Sequence, residues 1–153
     1  MKRVGVFFAV LLLFAASVVA VAGASGPRAV ATKVAKVQLR HTELGKILVN
    51  ASGFTLYRFS RDPRNKDTCM SVENCAEIWP PLLTTGRPIA GAGLKKSLLS
   101  SIRLPNGHHQ VTYAGHPLYM YSASTERGET SYAGFSSYGG TWFAVNAAGK
   151  SVK

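Results

Sequence analysis

Sliding the chain along itself by 62 residues lays Gln110–Ser124 (QVTYAGHPLYMYSAS) on Leu48–Asp62 (LVNASGFTLYRFSRD). Val49/Val111, Gly53/Gly115, Leu56/Leu118, Tyr57/Tyr119 and Ser60/Ser122 are identical, and Phe59 is answered by Tyr121. Trp142 stands 63 residues after Trp79, so the match runs on to a closing tryptophan. A unit this short cannot shelter an aromatic face from water alone, so the two copies are expected to pack those faces together.

In the first copy, Val37–Arg40 and Lys46–Asn50 read as short strands, and Gly53 is the natural site for positive φ in the next turn. Along Phe54–Ser60 the two-residue period of extended chain puts Thr55, Tyr57 and Phe59 on one face. Packed inward, Tyr57 and Phe59 are core; turned outward, they would be a stacking platform for a flat ligand. Asp62-Pro63 opens a turn, where an Asp more often organises backbone amides than acts as a catalytic acid. Arg58, Arg61, Arg64 and Lys66 crowd this turn, as an anion-facing patch or as a solvated loop.

Cys69 and Cys75 are the only cysteines, and in an exported chain they are expected to pair. The small ring is worth about 2 kcal/mol. Ser71 reads as the N-cap of a short helix Val72–Trp79, with Glu73 in its first turn and Pro80-Pro81 ending it. Trp79 is expected to pack over Tyr57 or Phe59, and Trp142 to close the second copy as core. Thr84–Gly93 reads as a surface connection. Leu94, Leu98, Leu99 and Ile102 fall at helical spacing and predict a second short helix over Leu94–Ile102. His108–Tyr113 and Trp142–Asn146 read as strands. Thr125–Gly140, with Tyr132, Phe135 and Tyr138 among Gly and Ser, is either a binding loop or a surface loop laid on the sheet.

The N-terminus begins with Lys2 and Arg3, continues apolar from Val4 to Ala22, and offers small residues for cleavage after Ala22 or Ala24. That pattern is a secretory leader over residues 1–24, with an uncleaved membrane anchor as the alternative. Residues 25–36 read as a flexible spacer and residues 37–150 as the folded unit, with repeats over 37–83 and 99–150. The expected fold is all-β, mainly antiparallel, with one or two short helices and two tandem repeats of about 60 residues in a single domain.

The segments GFTLYRFSRD, CAEIWPPL, GAGLKKSLL, VTYAGHPLYMY and GGTWFAV together resemble the bacterial secreted repeat family of predicted lipoproteins with a Yx(F/W/Y)xxD motif. The resemblance covers about residues 44–150. It places the motif on Tyr57, Phe59 and Asp62, and on Tyr119 and Tyr121 in the second copy, where Ser124 replaces the Asp. No lipobox cysteine is present, and the Gly-Gln-Gly of the family's late loop reads Tyr132-Ala133-Gly134. The family's function being unknown, the resemblance implies no activity.

No Gly-x-Ser-x-Gly elbow, phosphate-cradling Gly loop or HExxH helix appears, so no catalytic residue is assigned. His41, His108, His109 and His116 accompany Met70 and Met120, a set exported copper carriers use, yet no pair stands at ligand spacing on one element and no metal ligand is assigned. The net charge is +11, or +9 without the two leader cations, and favours anionic partners. The expected function is therefore a non-catalytic, exported, envelope-associated binding protein for an anionic envelope component, without a cofactor. A periplasmic copper-binding or redox accessory protein is the alternative. The expected partner is an envelope polyanion or envelope protein bound by a monomer. Nucleic acid is not expected, because a leader removes the chain from the cytoplasm, and membrane contact would come only through an uncleaved leader.

Overall fold

A computed structural model describes residues 33–153. The leader and most of the spacer lie outside the described residues.

Three small sheets carry the fold. The first has β2 (Gly45–Asn50), β1 (Lys36–Thr42) and β5 (Ile89–Ala90), in that order. β1 and β2 form a hairpin in which Thr42 faces Gly45, and β5 adds the one parallel pairing among the described strands. The second sheet orders β11 (Ser151–Val152), β10 (Gly140–Val145) and β3 (Tyr57–Phe59), with β9 (Ser136–Ser137) pairing the start of β10. In the third, β7 (His109–Tyr113) lies between β4 (Leu83–Thr84) and β6 (Leu99–Arg103), and β8 (His116–Pro117) folds back on its end. The fold is thus mainly antiparallel β with little helix, as the alternating pattern and the glycine turns predict.

Two of those turns are two-residue hairpins with both central residues at positive φ: Ala114-Gly115 at 52° and 78°, and Tyr138-Gly139 at 55° and 74°. This geometry matches the right-handed twist of the flanking strands. Asn50 shapes the turn before β3 by accepting the Ser52 and Phe54 amides on Oδ1. Gly53 there has φ +89°.

Each repeat's tail closes the other repeat. Pro81 bridges to Tyr119, and β4, the tail of the first copy, pairs with β7 of the second. In return Ala144 on β10 pairs with Tyr57, and Asn146 bridges to Ile47 on β2. Tyr57 and Tyr119 exchange both backbone hydrogen bonds, each 2.9 Å, so a local two-fold axis passes between them. The copies are intertwined rather than merely adjacent.

Two cores result. Val37, Leu48, Leu56, Leu99, Val111 and Leu118 belong to an aliphatic one. Tyr57, Phe59, Trp79, Tyr119 and Trp142 build an aromatic one around the Cys69–Cys75 disulfide. The segment at β3 serves both, because Leu56 points into the first core while Tyr57 and Phe59 point into the second.

Several expectations need correction. The helix expected over Val72–Trp79 is a 3-10 turn, Cys69–Ser71, followed by one α-turn, α1 (Cys75–Ile78). Closing the disulfide ring on a Cα separation of 5.3 Å requires the chain to reverse, and Asn74, at φ 59°, makes the reversal. Asn74 therefore precedes the helix where Ser71 was expected to cap it. The helix expected over Leu94–Ile102 is a 3-10 turn at Lys96–Leu98 and then β6, which pairs with β7 along its whole length. Sheet pairing outweighs the leucine spacing. The connection Thr84–Gly93 contains β5 and a buried Thr84, whose hydroxyl accepts the Ala35 amide at 3.0 Å. Ala35 is buried and Lys36 lies in β1, so the last residues of the anticipated spacer belong to the sheet. At the other end β11 carries the folded unit past residue 150.

Candidate functional site

The two-fold axis brings together the motif residues that sequence alone separates. Trp79 and Trp142 stack at 4.0 Å with their planes 5° apart. On either side the contacts repeat: Trp79 meets Tyr57 edge-on at 5.3 Å, and Trp142 meets Tyr119 edge-on at 5.2 Å. Phe59 stacks on Trp142 at 4.2 Å and Tyr121 lies against Trp79 at 4.9 Å. Trp79 thus packs on Tyr57, one of its two expected partners. Each such pair contributes about 0.5–1.5 kcal/mol beyond burial. Tyr57, Phe59, Trp79, Tyr119 and Trp142 are fully buried, so the first-strand aromatics are core and not a platform.

Asp62 is buried and crosses between the copies: its Oδ2 accepts the Tyr119 hydroxyl at 2.6 Å. Its Oδ1 accepts both the amide, at 2.8 Å, and the hydroxyl, at 2.7 Å, of Thr68. Burial pushes the carboxyl above its ordinary range, and these donors pull part of the way back. Tyr119 is pushed strongly upward, first by burial and then by the nearby Asp62 and Asp67 charges. Ser124 makes the same local turn as Asp62, its amide donating to Tyr121 O as that of Asp62 donates to Phe59 O. The hydroxyl of Tyr57 instead reaches the Glu129 carbonyl at 3.1 Å, shared with the Thr55 hydroxyl at 2.6 Å. Thr68 and Glu129 were not legible as partners. The Asp-to-Ser change at 124 was the one hint that Tyr57 must find another acceptor.

The cationic turn divides by role. Arg61 is exposed and donates to the Tyr138 carbonyl at 2.6 Å; Arg64 is exposed and donates to the Ala114 carbonyl at 2.9 Å. Both guanidinium groups thus hold hairpin turns while keeping their charge in water. Lys66 is exposed, whereas Arg58 is half-buried opposite Phe143, its Nε unpartnered. Desolvation lowers the Arg58 pKa, opposed by Asp62. His116 lies near Arg58 and Arg64, and burial followed by these two charges lowers its pKa. The two carboxylates of the turn face inward: Asp62 onto Tyr119, and Asp67, raised by burial, onto the Met70 amide at 2.9 Å.

The copper-type residues are dispersed. His41 lies on β1, His109 on β7 and His116 on β8, while the Met120 sulfur accepts the Asn50 amide at 3.2 Å. Among the described residues no cluster of three His, Cys, Asp or Glu side chains could hold a metal ion. The late loop is laid on the aromatic core through Tyr132. Tyr132 packs on Tyr121 at 3.8 Å, and Phe135, about half exposed, faces Tyr132 edge-on at 6.2 Å.

A family described as a secreted repeat of unknown function matches residues 39–83 and 100–146, one copy for each repeat seen in the fold. The chain belongs to this secreted-repeat family. Its two family units correspond to the two intertwined halves, and the family's description sets this secreted-repeat domain outside the cytoplasm. No helix among the described residues is long and apolar enough to cross a membrane. No curated protein and no solved structure is significantly similar to the chain.

Proposed function

We propose that this secreted-repeat domain is a non-catalytic binding module whose basic turn holds an anionic component of the cell envelope. One observation carries the reading: around residues 58–67 the carboxylates of Asp62 and Asp67 turn inward, while Arg61, Arg64 and Lys66 face solvent. The two arginines spend hydrogen bonds on neutral carbonyls, which leave their charge uncompensated. The turn is anchored by the Asp62–Thr68 hydrogen bonds and by the disulfide that follows it, which lowers the ordering cost of binding. Neither cysteine is a free thiolate, which supports the non-catalytic part.

The test is sedimentation of the purified protein with anionic-lipid vesicles and, separately, with inorganic polyphosphate, at rising salt. Substituting Arg61→Gln, Arg64→Gln and Lys66→Gln together keeps amide donors for the two carbonyls. At about 1 kcal/mol for each cation near an anionic surface, the triple variant is expected to bind vesicles roughly a hundredfold more weakly. Wild-type binding should fall as salt shortens the range of the field. Retention insensitive to both salt and substitution overturns the reading, as does no retention on either probe.

A further inference from the structure

The aromatic core contains a continuous column of electron-rich rings that reaches the surface. Trp142 stacks on Trp79 at 4.0 Å, Trp79 touches Tyr121 at 4.9 Å, and Tyr121 touches Tyr132 at 3.8 Å. Leucine and phenylalanine are enough to pack an apolar interior. Every ring here is instead an indole or a phenol, the aromatic side chains that give up one electron most readily. Both tryptophans of the protein are in the column.

The surroundings of each ring decide where a missing electron would settle. Trp79 Nε1 is buried without an acceptor, so an oxidised Trp79 has nowhere to discard its proton and the charge stays mobile. Trp142 Nε1 donates to the Ser137 hydroxyl at 2.9 Å, a weak base. At the inner end Tyr119 touches Trp142 and donates to Asp62, so a proton moved there stays in the core and can return. Tyr121 and Tyr132 are only half-buried, and there a phenolic proton can leave to water. The Cys69–Cys75 disulfide shares the same core.

We propose that this column carries positive charge, delivering one-electron oxidising equivalents from the stacked indoles to Tyr132 at the surface. A one-electron oxidant, such as an oxygen-centred radical, takes an electron from an indole. The indole cation takes one from Tyr121, and Tyr121 takes one from Tyr132, which releases its phenolic proton to water. The net change is one electron gained by the oxidant, and one electron and one proton lost by Tyr132. In the net change only the Tyr132 O–H bond is broken, because a proton that Tyr121 gives to water when oxidised is regained when Tyr132 reduces it. An external one-electron donor of the thiol or ascorbate class returns the phenoxyl to phenol. For an exported domain this spares the buried indoles. The inference is independent of anion binding.

Light at the long-wavelength edge of indole absorption excites only Trp79 and Trp142, so laser photo-ionisation with an electron scavenger creates the charge inside the column. In the wild type, phenoxyl absorbance is expected to grow as the indole radical decays, and a nitroso spin trap followed by peptide mass spectrometry should label Tyr132. Tyr132→Phe keeps the ring and removes only the ionisable hydroxyl. It is expected to slow decay of the indole radical about tenfold and to abolish the label. Tyr121→Leu, with folding checked by near-ultraviolet circular dichroism, should do the same, whereas Tyr138→Phe, outside the column, should not. Absence of phenoxyl growth in the wild type overturns the proposal. So does a label on Tyr119 or the tryptophans, or decay unchanged in both the Tyr132 and Tyr121 variants.

Discussion

Tyr119 and Asp62 lie 57 residues apart in sequence and share one buried hydrogen bond. Removing the hydroxyl in Tyr119→Phe leaves a carboxylate oxygen in the interior without its donor, and should cost about 1–3 kcal/mol in urea unfolding. Combining it with Asp62→Leu should cost less than the two single changes added together, by at least about 0.5 kcal/mol, since both remove the same bond. Additivity would show that the bond carries no weight. His116 supplies a pH dependence. Its folded-state pKa is depressed by burial and by Arg58 and Arg64, so the fold disfavours its protonated form. The contribution is complete above about pH 6.5, the ordinary histidine value, and is lost as pH falls from there toward the folded-state pKa. Asp62 and Asp67, raised by burial, act in the opposite sense, with stability lost as pH rises through their folded-state values. Comparing the mid-point of urea unfolding of His116→Gln with wild type across mildly acidic pH isolates the histidine: the variant should lose less stability on acidification. A parallel pair of curves would refute this.

At the scale of elements, the segment between Cys69 and Trp79 is held by covalent and polar staples more than by helix propensity. Its single α-turn is too short to stand alone, so replacing both cysteines by serine should lower stability by about 2 kcal/mol. Denaturant unfolding with and without reductant checks this, the reduced wild type matching the variant. Strand identity was legible where the signal is local. Gly53 and Gly115 mark the two turns, and the alternation of Thr55, Tyr57 and Phe59 marks a buried face. The helix over Leu94–Ile102 was misread because its leucines satisfy a 3.6-residue period, while the pairing of Leu99–Arg103 with β7 is invisible from the segment alone. The reversal at Asn74 was hidden for a similar reason: it follows from closing the cysteine ring, a constraint that the local pattern after Ser71 does not contain. Of the candidate site, the cationic cluster, the Trp79–Tyr57 contact and the shared aromatic interior could be read from sequence. The inward turn of Asp62 and Asp67 and the Tyr121–Tyr132 contact could not, because each depends on partners brought in from elsewhere in the chain.

For the whole molecule, the duplication predicted a shared aromatic interior, and the fold adds that each half is completed by the other's tail. β4 belongs to the first half by sequence but pairs with β7, and Ala144 and Asn146 return the exchange to Tyr57 and Ile47. Residues 33–93 or 94–153 expressed alone should therefore lack near-ultraviolet circular dichroism and cooperative unfolding, and mixing them should restore both. Cooperative unfolding of either piece alone would contradict the exchange. The connector around Gly91–Lys95 then decides only which molecule supplies a missing partner. Trimmed until the halves of one chain can no longer meet, it leaves each half facing the complementary half of a neighbour. Such chains are expected to interlock in pairs, their abundance set by protein concentration rather than by any new contact.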